Sequence, residues 1–262
     1  MDTQTETLTL RLKIWRQPNA QVPGQFIDYH LEGLSPDMSF LEMLDFLNEK
    51  LTQNGEHPVE FDSDCREGIC GSCGLVVNGK AHGPELGAAI CQVYLRKFKN
   101  QETLTIEPWR AKAFPVIKDL IVNRSALDRI ITAGGYVSAR AGPHPEPNTI
   151  LIAKESIDKA LDSSTCIQCG ACVAACPNAS AALFTGAQVT RFTELPQGQV
   201  ESHTRVERLV KQMDKEGFGQ CTNIGECEAA CPKRISISVI SKMRREYLKA
   251  FFFGDKRSAS ED

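Results

Sequence analysis

The sequence predicts an α+β chain, with a mixed β domain over residues 1–108 and an all-helical domain over residues 109–262. Three observations predict it. Apolar and polar residues alternate near the N-terminus, which is a strand period. Past residue 110 the apolar residues recur every three or four positions, which is a helix period. The eleven cysteines fall into an early and a late group with different spacings.

In the first domain, "LTLRLKIW" places Leu8, Leu10, Leu12 and Ile14 on one face of a strand. A turn near "QPN" or "VPG" leads to "FIDYHL", where Ile27, Tyr29 and Leu31 alternate. Ser39 and Glu42 make a capping-box pair, and Phe40, Leu44, Leu47 and Leu51 share a helical face. Asn78-Gly79 marks a hairpin, and Leu104 and Ile106 face inward on a closing strand. Two strands, a helix, a cysteine-bearing loop, a hairpin and a last strand fit a β-grasp, plant-type ferredoxin-like fold. In the second domain, Ile117, Leu120 and Ile121, then Leu127, Ile130 and Ile131, have helical spacing, and no strand is expected. "ARAGPHPEPNT" reads as a surface loop. Further helices are expected at "KESIDKALDSS", at Val206, Leu209, Val210 and Met213, and at Val239, Ile240, Met243 and Tyr247.

The net charge of −3 gives no case for nucleic acid. No run approaches 18 apolar residues, so no membrane span is expected. "MDTQTETLTL" lacks the marks of an export signal or a transit peptide. An odd cysteine count without an export signal argues for metal binding over a disulfide framework.

"CREGICGSC" spaces Cys65, Cys70 and Cys73 as a plant-type [2Fe–2S] loop, with Cys91 as the fourth ligand. Gly68, Gly71 and Gly74 are expected to let backbone approach sulfur. The alternative is a zinc ribbon, which usually needs two Cys-x2-Cys knuckles; here there is one triplet and a single cysteine. "CIQCGACVAACP" is the bacterial ferredoxin run, in which the fourth cysteine crosses to a second cluster. The crossing rule assigns Cys166, Cys169, Cys172 and Cys231 to a [4Fe–4S] cluster. It leaves Cys176, Cys221 and Cys227 for the other. In "CTNIGECEAACP" the remaining position is Ile224, which cannot ligate iron, so that site should hold [3Fe–4S]. The alternative is a degraded four-iron site open to water.

Three clusters in this order resemble the iron–sulfur subunit of succinate dehydrogenase and fumarate reductase. "CREGICGSC", "FPVIKDL" and the two Cys-Pro runs carry the resemblance across nearly the whole chain. It implies a flavoprotein partner that oxidises succinate at FAD. It also implies electron flow through [2Fe–2S], [4Fe–4S] and [3Fe–4S] to quinone at a membrane anchor, with no substrate chemistry in this chain. The implied location is peripheral, on the cytoplasmic face of the bacterial plasma membrane. Pro177, Thr222 and Ile224 would lie nearest the quinone. Two departures stand out. Seventeen residues separate Cys73 from Cys91, where many members have eleven. Ala181 and Thr222 stand where ubiquinone-linked members carry tryptophan and histidine. The second departure favours a menaquinone enzyme with a diheme cytochrome b anchor.

Other residues carry weaker signals. Arg66 could offset cluster charge or be an exposed loop residue. His57, His82, His144 and His203 read as surface histidines. Lys242, Arg244, Arg245 and Lys249, followed by Phe251, Phe252 and Phe253, read as a solvated face or as a contact with the anchor or lipid headgroups. Rival functions are a soluble ferredoxin-like carrier, an electron-input subunit of an unrelated dehydrogenase, and a cluster-based redox sensor. The sensor would need a DNA- or partner-binding module, and no basic helix-turn-helix is evident.

Overall fold

The computed structural model describes residues 7–138, 146, 148–149, 151–195 and 201–254. His144 and most of the "ARAGPHPEPNT" segment lie outside the described residues. The alternating N-terminal segments form strands β1 (Leu8–Arg16) and β2 (Gln25–Leu34), paired antiparallel. Leu10, Leu12 and Ile14 are buried while Arg11 and Lys13 are exposed, as a two-residue period requires. The register shifts between Leu8 and Leu10, opposite Gly33, whose φ of +73° accommodates a bulge. Helix α1 (Phe40–Gln53) starts at the expected capping box. Ser39 Oγ accepts the Glu42 N–H at 3.3 Å, and Glu42 Oε2 accepts the Ser39 N–H at 2.6 Å.

β3 (Val76–Val77) turns through Asn78-Gly79, both left-handed, into β4 (Lys80–Ala81). β5 (Thr103–Glu107) then runs parallel to β1 and antiparallel to β3, giving the sheet order β2-β1-β5-β3-β4. The inward residues of the sheet, Leu104 and Ile106 among them, share one core with Phe40, Leu44, Leu47 and Leu51 of α1.

The segment after residue 108 departs from its predicted helix. Residues 116–122 form a hairpin, β6 (Val116–Lys118) and β7 (Ile121–Val122). The cause lies at its tip. Asp119 is buried, at φ +45°, and its carboxylate accepts the N–H groups of Gln17 (2.8 Å) and Glu60 (3.1 Å). It also pairs with Arg16 at 3.1 Å. Leu120 donates its N–H to the Glu60 carbonyl, and its side chain enters the N-terminal core. These tertiary contacts outweigh the helical spacing of Ile117, Leu120 and Ile121.

The helix begins only at α2 (Ser125–Gly134), which buries Leu127 and Ile130. From there every regular element among the described residues is a helix: α3 (Lys154–Ser164), α4 (Ala171–Ala174), α5 (Ala182–Glu194), α6 (Ser202–Lys215), α7 (Glu226–Ala229) and α8 (Ser238–Phe253). α5 is the central helix, buried almost all round and packed against α3, α6 and α8. The predicted faces of α6 and α8 are buried through Val206, Leu209, Val239, Ile240 and Met243. Trp109 and Phe114 join this second core. Among the described residues no helix is long and apolar enough to cross a membrane.

Candidate metal centres

The first cysteine loop wraps its own backbone around sulfur. Cys65 Sγ accepts the N–H groups of Glu67 (3.3 Å), Ile69 (3.5 Å) and Cys70 (3.3 Å). Arg66 and Gly68 take left-handed φ values of +54° and +72°, which turn those N–H groups inward. Burial raises the Cys70 thiol, but the Ser72 hydroxyl and N–H, with Cys65, bring it down to about 7. Cys91 sits beside Cys73. Their mutual hydrogen bond raises Cys73 and lowers Cys91. Four thiols and their N–H donors thus converge here. Thiolates are the form that binds iron, and backbone donors stabilise a negative cluster.

The two Cys-Pro runs fold alike. In the first, Gly170 (φ +85°) caps α4; in the second, Gly225 (φ +99°) caps α7. Gln168 and Asn223 are both left-handed, at φ +57° and +62°. The turns bring cysteines of different runs together. One cavity is lined by Cys166, Cys169, Cys172 and Cys231, with Leu183 and Phe184 over it. Another is lined by Cys176, Cys221 and Cys227, with Pro177, Thr222 and Ile224. Burial pushes Cys166 up to about 11 and Cys169 up to about 12, and holds Cys172 well above its ordinary value. Charge on neighbouring cysteines, Cys231 included, adds to each rise. Cys227 is raised by burial and then by charge on Cys176 and Cys221. Buried thiols that repel one another's negative form suit a site where metal charge offsets them. Among the described residues, no three His, Cys, Asp or Glu side chains converge tightly enough for a single metal ion. Thiolates that bind different irons of one cluster need not meet at a point.

The first loop packs directly on the first run. A Cβ at Gly71 (φ +71°) would lie 2.0 Å from the Ile167 carbonyl oxygen, and one at Gly74 would lie 2.5 Å from the Trp109 ring. These two glycines therefore make room for loop packing, a role added to the sulfur approach expected from the sequence. Trp109 is fully buried and donates its indole N–H to the Cys169 carbonyl at 2.9 Å. Arg124 Nη1 donates to the carbonyls of Gly71 (2.7 Å) and Gln168 (2.9 Å). Neither residue stands out in the sequence, because no periodicity or spacing marks a lone Trp or Arg as bridging segments 44 to 60 positions away.

His82 corrects another expectation. It is 1% exposed, stacked edge-on against Trp109 at 5.3 Å. Its Nδ1 accepts the Ile90 N–H at 3.3 Å, and burial, with the Arg124 charge second, lowers its pKa to about 4. It is a neutral core histidine, whereas His57 is exposed and His203 half-buried. Arg66 is spent on Asp45, which it grips through two nitrogens at 2.5 and 3.1 Å. Lys242 bridges Glu194 and Glu246, Lys249 pairs with Glu246, and Arg244 donates to the Cys221 carbonyl. Phe251, Phe252 and Phe253 are exposed.

Comparisons with known proteins agree with this arrangement. Residues 11–129 match a 2Fe-2S iron-sulfur cluster binding domain, and residues 162–235 match a 4Fe-4S dicluster domain. The chain is 29% identical to the succinate dehydrogenase iron-sulfur subunit of Bacillus subtilis over 97% of its own length and 99% of the relative's. It is 30% identical to the fumarate reductase iron-sulfur subunit of Haemophilus influenzae, covering 81% of this chain and 83% of that one. In fold it is similar to a chain of the Mycobacterium smegmatis Sdh1 complex in the apo form, with a TM-score of 0.61 and 19% identity over 96% of this chain and 100% of that one. The chain belongs to the family of iron–sulfur subunits of succinate dehydrogenases and fumarate reductases, and its role is electron transfer rather than substrate chemistry of its own.

Proposed function

We propose that this chain is the three-centre electron-transfer subunit of a menaquinone-linked succinate:quinone oxidoreductase. It stands between an FAD-carrying flavoprotein and a membrane-anchor cytochrome b with two hemes, on the cytoplasmic face of the bacterial plasma membrane. The functional units are residues 1–108 and 109–262, with the β6–β7 hairpin of the second tied back onto the first.

Cys65, Cys70, Cys73 and Cys91 would hold [2Fe–2S]. Cys166, Cys169, Cys172 and Cys231 would hold [4Fe–4S]. Cys176, Cys221 and Cys227 would hold [3Fe–4S], with Pro177, Thr222 and Ile224 facing the quinone. When bound, these clusters supply one-electron carriers in series. The chain's own residues hold thiolates in three separate groups, aim N–H donors at sulfur and exclude water from the buried site.

The observation that carries this reading is Ile224. It occupies the backbone position that Cys169 occupies in the first run, in a cavity with three thiols. A side chain without a donor atom leaves one cube corner unligated. The test is Ile224→Cys in the purified complex. The wild type is expected to contain about nine irons per chain and to show an oxidised three-iron EPR signal. The variant is expected to contain about ten irons and to lose that signal. Its quinone reduction should slow while dye-linked succinate oxidation persists. A wild type with ten irons and no three-iron signal would defeat the assignment. Faster turnover with ubiquinone than with menaquinone analogues would defeat the quinone reading.

A further inference from the structure

We propose that Arg124 is the positioning residue that locks the first cysteine loop against the first Cys-Pro run and holds a fixed positive charge between the two centres. The inference rests on the ligand assignment proposed above. Gly71 directly follows Cys70, and Gln168 directly precedes Cys169. The same Arg124 nitrogen donates to both of their carbonyls, at 2.7 and 2.9 Å. One guanidinium nitrogen thus ties together two loops that lie far apart in sequence.

The seam it closes is tight. The Gly71 Cα lies against the backbone of Ile167 and Cys169, with no room for a Cβ. Arg124 itself is anchored at the start of α2, where its carbonyl accepts the Leu127 N–H and the neighbouring Asn123 N–H reaches the Pro115 carbonyl. The side chain is half-buried, so its charge is poorly screened. That charge is felt by its neighbours: it opposes the rise that burial gives Asp62, and it adds to burial in lowering His82. Lysine is no substitute. Its ammonium ends about one bond short of Nη1, on a stem without the rigid fork.

The experiment is an EPR-monitored redox titration of the purified complex, with Arg124→Met and Arg124→Lys beside the wild type. Arg124→Met keeps the stem but removes the charge and both hydrogen bonds. It is expected to lower the midpoint potential of the centre on Cys166, Cys169, Cys172 and Cys231, because the added electron loses a facing cation. It is also expected to weaken the spin–spin coupling between that centre and the first, because the seam opens. Arg124→Lys is expected to keep the midpoint near wild type while the coupling weakens. A Met variant with wild-type iron content, midpoint and coupling overturns the proposal. Equal iron loss and equal shifts in both variants would mark a purely structural role and also overturn it. If the Met variant does not assemble, the Lys variant decides, and unchanged coupling there overturns it. A wild type lacking a [2Fe–2S] or [4Fe–4S] signal would instead sink the ligand assignment, and this inference with it.

Discussion

The two Cys-Pro runs share a backbone and differ in what covers them. Left-handed residues recur at Gln168 and Asn223, at Gly170 and Gly225, and at Ala179 and Arg234. Each run places a four-residue helix after its glycine. Yet Cys169 is 7% exposed beneath Trp109, while Ile224, its counterpart, is 53% exposed. A Cβ at Gly170 would meet Phe114 at 2.8 Å, whereas one at Gly225 would meet nothing within 4 Å. The lesson is that the turn sequence sets the shape of the run and the rest of the chain sets its environment. The β-grasp unit and the Trp109–Phe114 segment roof over the first run. The second run faces outward, with Thr222, Asn223 and Ile224 all exposed.

Three measurements would break or sharpen this contrast. The largest effect is expected at the roof itself. Gly71→Ala puts a left-handed alanine within 2.0 Å of a backbone oxygen, and should cost about 4 kcal/mol in strain and overpacking. Thermal unfolding and iron retention would report it. A loss confined to the first loop, with the Cys166–Cys231 centre intact, would show that the seam transmits little.

Next comes the glycine pair. Both alanine variants suffer the left-handed penalty, but only Gly170→Ala also meets Phe114. Losses of about 3 kcal/mol for Gly170→Ala and about 1.5 kcal/mol for Gly225→Ala are expected. Equal Tm shifts would remove the roof as the source of the difference.

The smallest effect comes from acid. His82, under Trp109, has a folded pKa near 4 against 6.5 for the free side chain. The unfolded chain therefore binds the proton first. Stability is complete above about pH 6.5 and is lost as pH falls through about 4. Between pH 8 and pH 5.5 the loss from this one group should be about 1.4 kcal/mol. His82→Gln should flatten that part of the pH–Tm curve. An unchanged slope would place the acid sensitivity elsewhere.

Much of this was legible in the sequence because its signals are local. Strand alternation in β1, the Ser39–Glu42 box, the Asn78-Gly79 turn and the helical faces of α1, α6 and α8 depend on neighbours within a few residues. Cysteine spacing is equally local, and the crossing rule placed Cys231 with Cys166 and Cys176 with Cys221, pairs that also line common cavities. What escaped was set by distant partners. The 116–122 segment has the spacing of a helix, but Asp119 is claimed by Gln17, Glu60 and Arg16. His82 sits in polar-looking company in "NGKAH", and its burial depends on Trp109, 27 positions on. Arg124 and Trp109 act on carbonyls, which have no signature in side-chain pattern at all.

The contact at Gly71 has a consequence for how such a chain can diverge. Main chain touches main chain there, so the separation of the two loops is written in backbone geometry. Side chains that do not close the seam, unlike Arg124, can be exchanged nearby, and with them local charge and polarity, while that separation stays as it is. Apart from Arg124, redox tuning and spacing thereby become separable traits. A lineage could adjust the first, provided that the glycine and the arginine of the seam are kept.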